Sequence, residues 1–200
     1  MIRCTLQAEP PTFHARCRER GQEWLRSHPG YKRPHDYWSE FEPELRIAFR
    51  RLCAYCAMAV MKANVDHFIP VAVLKTRGED HRAYEWDNFR YVEGVLNQKK
   101  WEHLVLDPFQ VDDDWFRLTL PSLQLTLTDK VPPELRELAE FTLDRLGLGH
   151  GEVVVRYRTQ WFTMYRKQKL TLDGLRDVAP QIARAVEEDL ANGVDWRYPA

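Results

Sequence analysis

The chain has 200 residues, 44% hydrophobic and 30% charged, with a formal net charge of −1. That length buries a real core as one domain, or as a small module with helical additions, and so excludes a mini-protein held by staples. The near-neutral balance excludes nucleic-acid binding through bulk charge, so any such contact has to concentrate cations locally. Four cysteines make no disulfide framework at this length. No apolar run approaches the roughly 20 residues that span a bilayer, and the N-terminus carries no signal-peptide core, so a soluble, cytoplasmic protein without membrane contact is expected. Seven Trp, eight Tyr and nine Phe argue for a packed fold over disorder.

Residues 1–33 are Arg-rich behind Pro10 and Pro11, with Arg16, Arg18, Arg20, Arg26, Lys32 and Arg33 against few acids. Phe13, Cys17, Trp24 and Leu25 fit one side of a short helix. The basic residues read equally as a phosphate-binding arm and as a solvated face. Residues 36–52 predict a helix with Ser39 as N-cap and Pro43 in the first turn. Its apolar face is Phe41, Leu45, Ala48, Phe49 and Leu52. This helix leads into C-A-Y-C at residues 53–56. Residues 57–69 are compatible with a short strand pair turning at Asn64 and ending at Pro70, whereas residues 71–84 lack a clear period and predict mostly loop. Phe89, Tyr91 and Val92 predict another strand, Gly94 breaks it, and residues 96–104 predict a helix.

Asp112, Asp113 and Asp114 read as a solvated loop before they read as a metal site. Residues 116–120 and 123–127 alternate and predict a β-hairpin through Pro121 and Ser122. A helix follows over residues 132–146, closed by Gly147. Residues 151–170 predict a further helix, although Val153, Val154 and Val155 alone favour a strand. Its aromatic end, Trp161, Phe162, Met164 and Tyr165, fits a core face better than a docking surface. The last predicted helix runs through Ile182, Ala185, Val186 and Leu190 to Gly193.

The chemistry concentrates in D-H-F-I-P (residues 66–70), W-D-N-F (86–89) and L-N-Q-K-K (96–100). Phosphodiester hydrolysis needs a base to activate water and a cation to stabilise charge on phosphorus and the leaving oxygen. His67 suits the first task at neutral pH. The carboxylate of Asp66 and the amide oxygen of Asn97 suit a hard ion, Mg²⁺ or Mn²⁺, better than Zn²⁺.

On these motifs the stretch from Leu52 to Trp101 resembles an HNH nuclease, the ββα-metal module named for a His, a central Asn and a final His or Asn. The resemblance implies an α+β fold: a ββα-metal core embedded in a mostly helical domain with an additional β-hairpin. It divides the chain into a basic segment and approach helix (1–52), the nuclease core (53–104), and a hairpin with C-terminal helices for packing or partner docking (105–200). His67 is then the general base, and Asn88 hydrogen-bonds the backbone of the loop that holds it. Asp66 and Asn97 face each other across one Mg²⁺ or Mn²⁺ ion, and Lys99, Lys100 and Arg90 meet the phosphates of DNA. Adjacent strand residues point to opposite sides, so Asp66 and His67 can share a site only at an irregular strand end.

Many relatives clamp a structural Zn²⁺ between two C-x-x-C pairs. Here the second position reads Glu93-Gly94-Val95-Leu96, so no structural Zn²⁺ is expected. Cys53 and Cys56 become a remnant zinc knuckle of small buried residues, with Val95 and Leu96 packing where metal ligands stood. The approach to L-C-A-Y-C, L-D-P after the core, the hairpin and L-D-R-L-G-L together resemble the HNH subunit of Septu-type anti-phage systems, also found beside some retrons. That resemblance implies an ABC-type ATPase partner. The alternative is an HNH-fold nucleic-acid-binding or regulatory subunit that no longer cuts.

Overall fold

The structure is a computed structural model and describes residues 1–198; the last two residues of the 105–200 segment lie outside the described residues. Among the described residues, eight α-helices and two two-stranded antiparallel sheets make an α+β fold. Among the described residues no helix is long and apolar enough to cross a membrane. The chain packs as two units. One joins Met1–Cys4 and Leu52–Val60 to the chain from Leu106 onward; the other joins Thr5–Arg51 to Met61–Val105.

The second unit holds α1 (Arg20–Ser27), α2 (Glu42–Ala48), β1 (Ala63–His67), α3 (Val71–Arg77), β2 (Phe89–Glu93) and α4 (Gly94–Lys100). Its core is aromatic. Phe13 meets Phe41, Trp86 and Phe89 edge to face at centroid distances of 5.0, 5.4 and 5.8 Å, a geometry worth about 0.5–1.5 kcal/mol per pair beyond burial. β1 pairs antiparallel with β2, in a register that sets Asp66 opposite Arg90 and His67 opposite Phe89. The chain passes from β2 straight into α4. The Glu93 carboxylate accepts from the Val95 and Leu96 amides at 2.7 and 3.2 Å and so caps the orphan donors of the first turn.

The first unit holds the hairpin β3 (Phe116–Thr119) and β4 (Gln124–Leu127), then α5 (Pro133–Leu146), α6 (Glu152–Arg166), α7 (Leu172–Val178) and α8 (Pro180–Ala191). The C-A-Y-C turn belongs here. It closes through Cys53 N to Met58 O and Ala57 N to Cys53 O, both 2.9 Å, and is tied to the end of α7 by Ala59 N donating to Val178 O. Phe162 and Tyr165 are buried, which agrees with a core face for the aromatic end of α6. Asp112 and Asp113 receive the side chain and amide of Arg3.

Three local expectations need correction. The strand pair expected within 57–69 is a single strand, β1, whose partner lies at 89–93; residues 57–62 contribute only an isolated bridge from Ala59 to Leu52. The loop expected at 71–84 contains α3 and a 3₁₀ segment, Asp80–Tyr84. α3 stops at Gly78, whose φ of +67° makes a left-handed C-cap. The cap ahead of α2 comes from Asp36, whose carboxylate accepts from Ser39 N and Oγ at 2.9 and 2.6 Å.

α1 approaches the 3₁₀ segment through Gly21. A Cβ there would lie 2.2 Å from Cγ of the buried Tyr84. The ring is fixed in turn by its hydroxyl, which donates to His35 O at 2.9 Å. Gly21→Val is therefore expected to destabilise the protein by about 1–3 kcal/mol through overpacking, measured as a lowered urea midpoint; an unchanged midpoint contradicts this contact.

Candidate active site

β1 delivers Asp66 and His67, and α4 delivers Asn97 one turn after the Glu93 cap. All three line one cavity of about 920 Å³ within the second unit. The irregular strand end that the sequence demands is there. The ladder continues one step past β1, with Phe68 N donating to Asn88 O at 2.8 Å. The Asn88 side chain then takes over. Its Oδ1 accepts from Ile69 N at 2.7 Å, and its Nδ2 donates to Ile69 O and Arg82 O, both at 3.2 Å. At 1% exposure, Asn88 meets its hydrogen-bonding demand in these backbone contacts.

His67 is oriented by the same segment, since its Nε2 lies 2.9 Å from Ala83 O. A carbonyl only accepts, so Nε2 carries the proton and Nδ1 keeps its lone pair. Trp38 and Phe89 stand edge-on to the ring at 4.5 and 5.3 Å. Burial lowers the His67 pKa from 6.5 to about 4, with Lys100 and Arg33 adding to the shift against the Ala83 bond. The imidazole is neutral at physiological pH.

Asp66 is buried against Lys100. The ammonium lies 3.0 Å from Asp66 Oδ1 and donates to His67 O at 2.7 Å. Lys100 is fully buried. Desolvation lowers its pKa and outweighs the attraction of Asp66, so the pair is an expensive one whose members depend on each other.

Two expected phosphate contacts are corrected here. Lys100 is occupied by Asp66 and has no exposed surface. Arg90, at 1% exposure, turns inward: its Nη1 donates to Asp87 O and Phe89 O, and its guanidinium covers the Phe68 ring. Lys99 is half-buried and does not line the cavity. Lys32, Arg33 and Lys75 do line it. The first two belong to the basic segment recognised in the sequence and form no ion pair among the described residues. Arg16, Arg18 and Arg26 of that segment are instead paired with Glu40, Glu9 and Glu85, and Glu23.

Trp101 lines the cavity too, a residue the sequence pattern gave no reason to single out. It ends α4 with φ +52° and ψ −128°, a backbone conformation that costs a bulky residue about 1–3 kcal/mol.

Comparison with family models, curated proteins and solved structures finds no match in any of the three.

Cys53 and Cys56 lie in the other unit. Both are buried thiols, and none of the four cysteines forms a disulfide. A hydrogen bond with Cys53, followed by burial, raises the Cys56 pKa well above the ordinary thiol value, so that sulfur is protonated at neutral pH. Among the described residues no group of three or more His, Cys, Asp and Glu converges as a metal cluster. Two thiols do not make the closed tetrahedral set of a structural zinc site.

Removing one partner of the buried pair leaves a desolvated charge. Lys100→Met is expected to cost about 3–5 kcal/mol, and adding Asp66→Asn to recover most of that loss; chemical denaturation of the single and double variants measures both. His67 supplies a pH test. Between 6.5 and about 4 the unfolded chain binds a proton that the folded ring refuses, so stability is complete above this window and falls on acidification through it. Wild type should lose more melting temperature than His67→Gln between pH 7 and 4; parallel slopes contradict the burial of the ring.

Proposed function

We propose that this chain is a metal-dependent HNH-type endonuclease that hydrolyses phosphodiester bonds of DNA, with β1, β2 and α4 as its ββα core. The observation that carries the reading is the arrangement of His67. Its tautomer is set by Ala83 O, the segment bearing that carbonyl is clamped by Asn88, and the ring shares a cavity with Asp66 and Asn97.

Neutral His67 takes a proton from water at Nδ1 as the water oxygen attacks phosphorus; the opposite P–O bond breaks with its electron pair on the leaving sugar oxygen, which takes a proton from solvent. A pKa of about 4 keeps the ring in its base form across the physiological range. Arrival of a phosphate beside Arg33 offsets one of the charges that depress it, which raises proton affinity when substrate is bound. Lys32 and Arg33 hold the phosphodiester at the cavity rim. Asn88 and Ala83 O keep the ring from turning, so the lone pair stays directed while the proton moves.

Asp66 and Asn97 would hold Mg²⁺ or Mn²⁺, which when bound supplies positive charge to the phosphate oxygens. The donor set fits such an ion. Mg²⁺ accepts one or two protein oxygens and keeps its waters, and a carboxylate beside an amide oxygen on one cavity wall supplies the hard oxygen donors it prefers. The wider pattern around L-C-A-Y-C and L-D-R-L-G-L supports a place in bacterial anti-phage defence beside an ABC-type ATPase, in the cytoplasm.

The Asp66–Lys100 pair also supports a second reading. An ammonium already balances the carboxylate, as in a subunit that binds nucleic acid or regulates a partner without cutting.

Plasmid DNA and single-stranded circular DNA, incubated with the purified chain and Mg²⁺ or Mn²⁺, alone and with an ABC-type ATPase, separate the two. Nicking or cutting is expected, and His67→Ala is expected to slow it by about 10²–10⁴-fold. Equal cutting by wild type and His67→Ala overturns the assignment. Binding without cutting by the wild type favours the second reading.

A further inference from the structure

We propose that the site takes an unpaired strand, with Trp101 as the platform on which a base stacks beside the phosphate presented to His67. This rests on the nuclease reading for the role of the cavity and adds the form of its substrate.

Three features converge. Trp101 is 68% exposed, although an indole in water is costly and most large aromatics of this chain are buried. It lines the same cavity as His67 and Asn97. Its backbone is held at φ +52°, so the ring is displayed at the end of α4 despite local strain.

The cations stand where a strand's backbone has to pass. Lys32 and Arg33 line the His67 cavity, and a second cavity shares Arg33, Trp38, Val65 and Asn97 with it before continuing to Arg46 and Lys62. Arg46 and Lys62, like Lys32 and Arg33, are exposed and carry no ion pair among the described residues. Glu102 in the first cavity, with Asp36 and Glu42 in the second, are acids on the same walls. The two cavities adjoin at the residues they share, with the indole lining the first and Arg46 and Lys62 lining the second. Met61, fully exposed, adds an apolar surface to the second cavity.

A duplex hides its base faces inside the stack and offers a groove mainly phosphates. An unpaired strand offers both, and base–aromatic stacking is sequence-tolerant because every base has a π-face. An exposed indole beside free cations is the combination an unpaired strand satisfies and a duplex leaves half unused. DNA and RNA strands share this chemistry.

Binding can be read separately from cutting. The full-length His67→Ala chain is titrated, without divalent metal, into fluorescently labelled single-stranded DNA, single-stranded RNA and duplex DNA of one sequence, followed by anisotropy. The proposal expects at least one single strand to bind about tenfold or more tightly than the duplex, and the tighter of the two names the sugar. Adding Trp101→Gly should weaken that strand by about 5–100-fold, while Trp101→Tyr should keep most of the affinity. Glycine tolerates the positive φ, so its loss of binding cannot be ascribed to backbone strain. Duplex binding equal to or tighter than both strands, no binding at all, or unchanged affinity in Trp101→Gly overturns the proposal. Because metal and cleavage are absent from this assay, its failure leaves the nuclease reading to the plasmid test, and failure of that test leaves the stacking result standing.

Discussion

The site depends on one amide side chain. Asn88 is buried where the β1–β2 ladder runs out, and it replaces the next backbone pairing with contacts of its own to Ile69 and Arg82. Through Ile69 it fixes the bend that lets Asp66 and His67 serve one cavity. Through Arg82 it fixes the 3₁₀ segment whose Ala83 carbonyl selects the His67 tautomer. An asparagine is suited to this because it accepts and donates at once; an aspartate would bring only acceptors, and a leucine would leave three backbone groups to find other partners. Gly21 and Tyr84 secure the same segment from its other side.

Around this clamp the site is built from neutral or balanced groups. His67 is held uncharged, and Asp66 is matched by Lys100. The exposed cations sit outside, on Lys32 and Arg33. Such layering leaves the uncompensated positive charge on the exposed side of the cavity. In a chain of net charge −1, most Arg residues of the N-terminal segment are spent on Glu9, Glu23, Glu40 and Glu85, Arg20 covers the Tyr37 ring, and Arg33 is left to border the cavity.

How much of this was legible in the sequence varied with the length of the signal. Asp66, His67 and Asn97, the residues the resemblance singled out, line one cavity, and the Asn88 side chain bonds backbone groups of Ile69 and Arg82. Long periodic segments such as α5 and α6 were readable, even with three valines at the start of α6. α3 and α7 were not: each is two turns long and, unlike α2, neither belongs to a longer apolar face such as Phe41, Leu45, Ala48, Phe49 and Leu52. Their punctuation was present all the same: Gly78 after α3, and Thr171, whose Oγ1 accepts from Gly174 N, ahead of α7. The fates of Lys99 and Lys100 were beyond sequence reasoning. Which of two neighbouring lysines faces inward depends on where α4 begins, and the Glu93 cap decides that. Arg90 failed for a related reason, since the alternation of β2 breaks down where Asp87 and Phe89 offer carbonyls to an inward-turned guanidinium.

The chain passes between its two units four times, at 4/5, 51/52, 60/61 and 105/106. Neither unit is therefore an uninterrupted stretch of sequence. The residues carrying C-A-Y-C are a nine-residue excursion, Leu52–Val60, that leaves the second unit after α2 and returns just before β1. In evolutionary terms the two units are tied as one inheritable block: a recombination event that exchanged either one at a single crossover would sever the other.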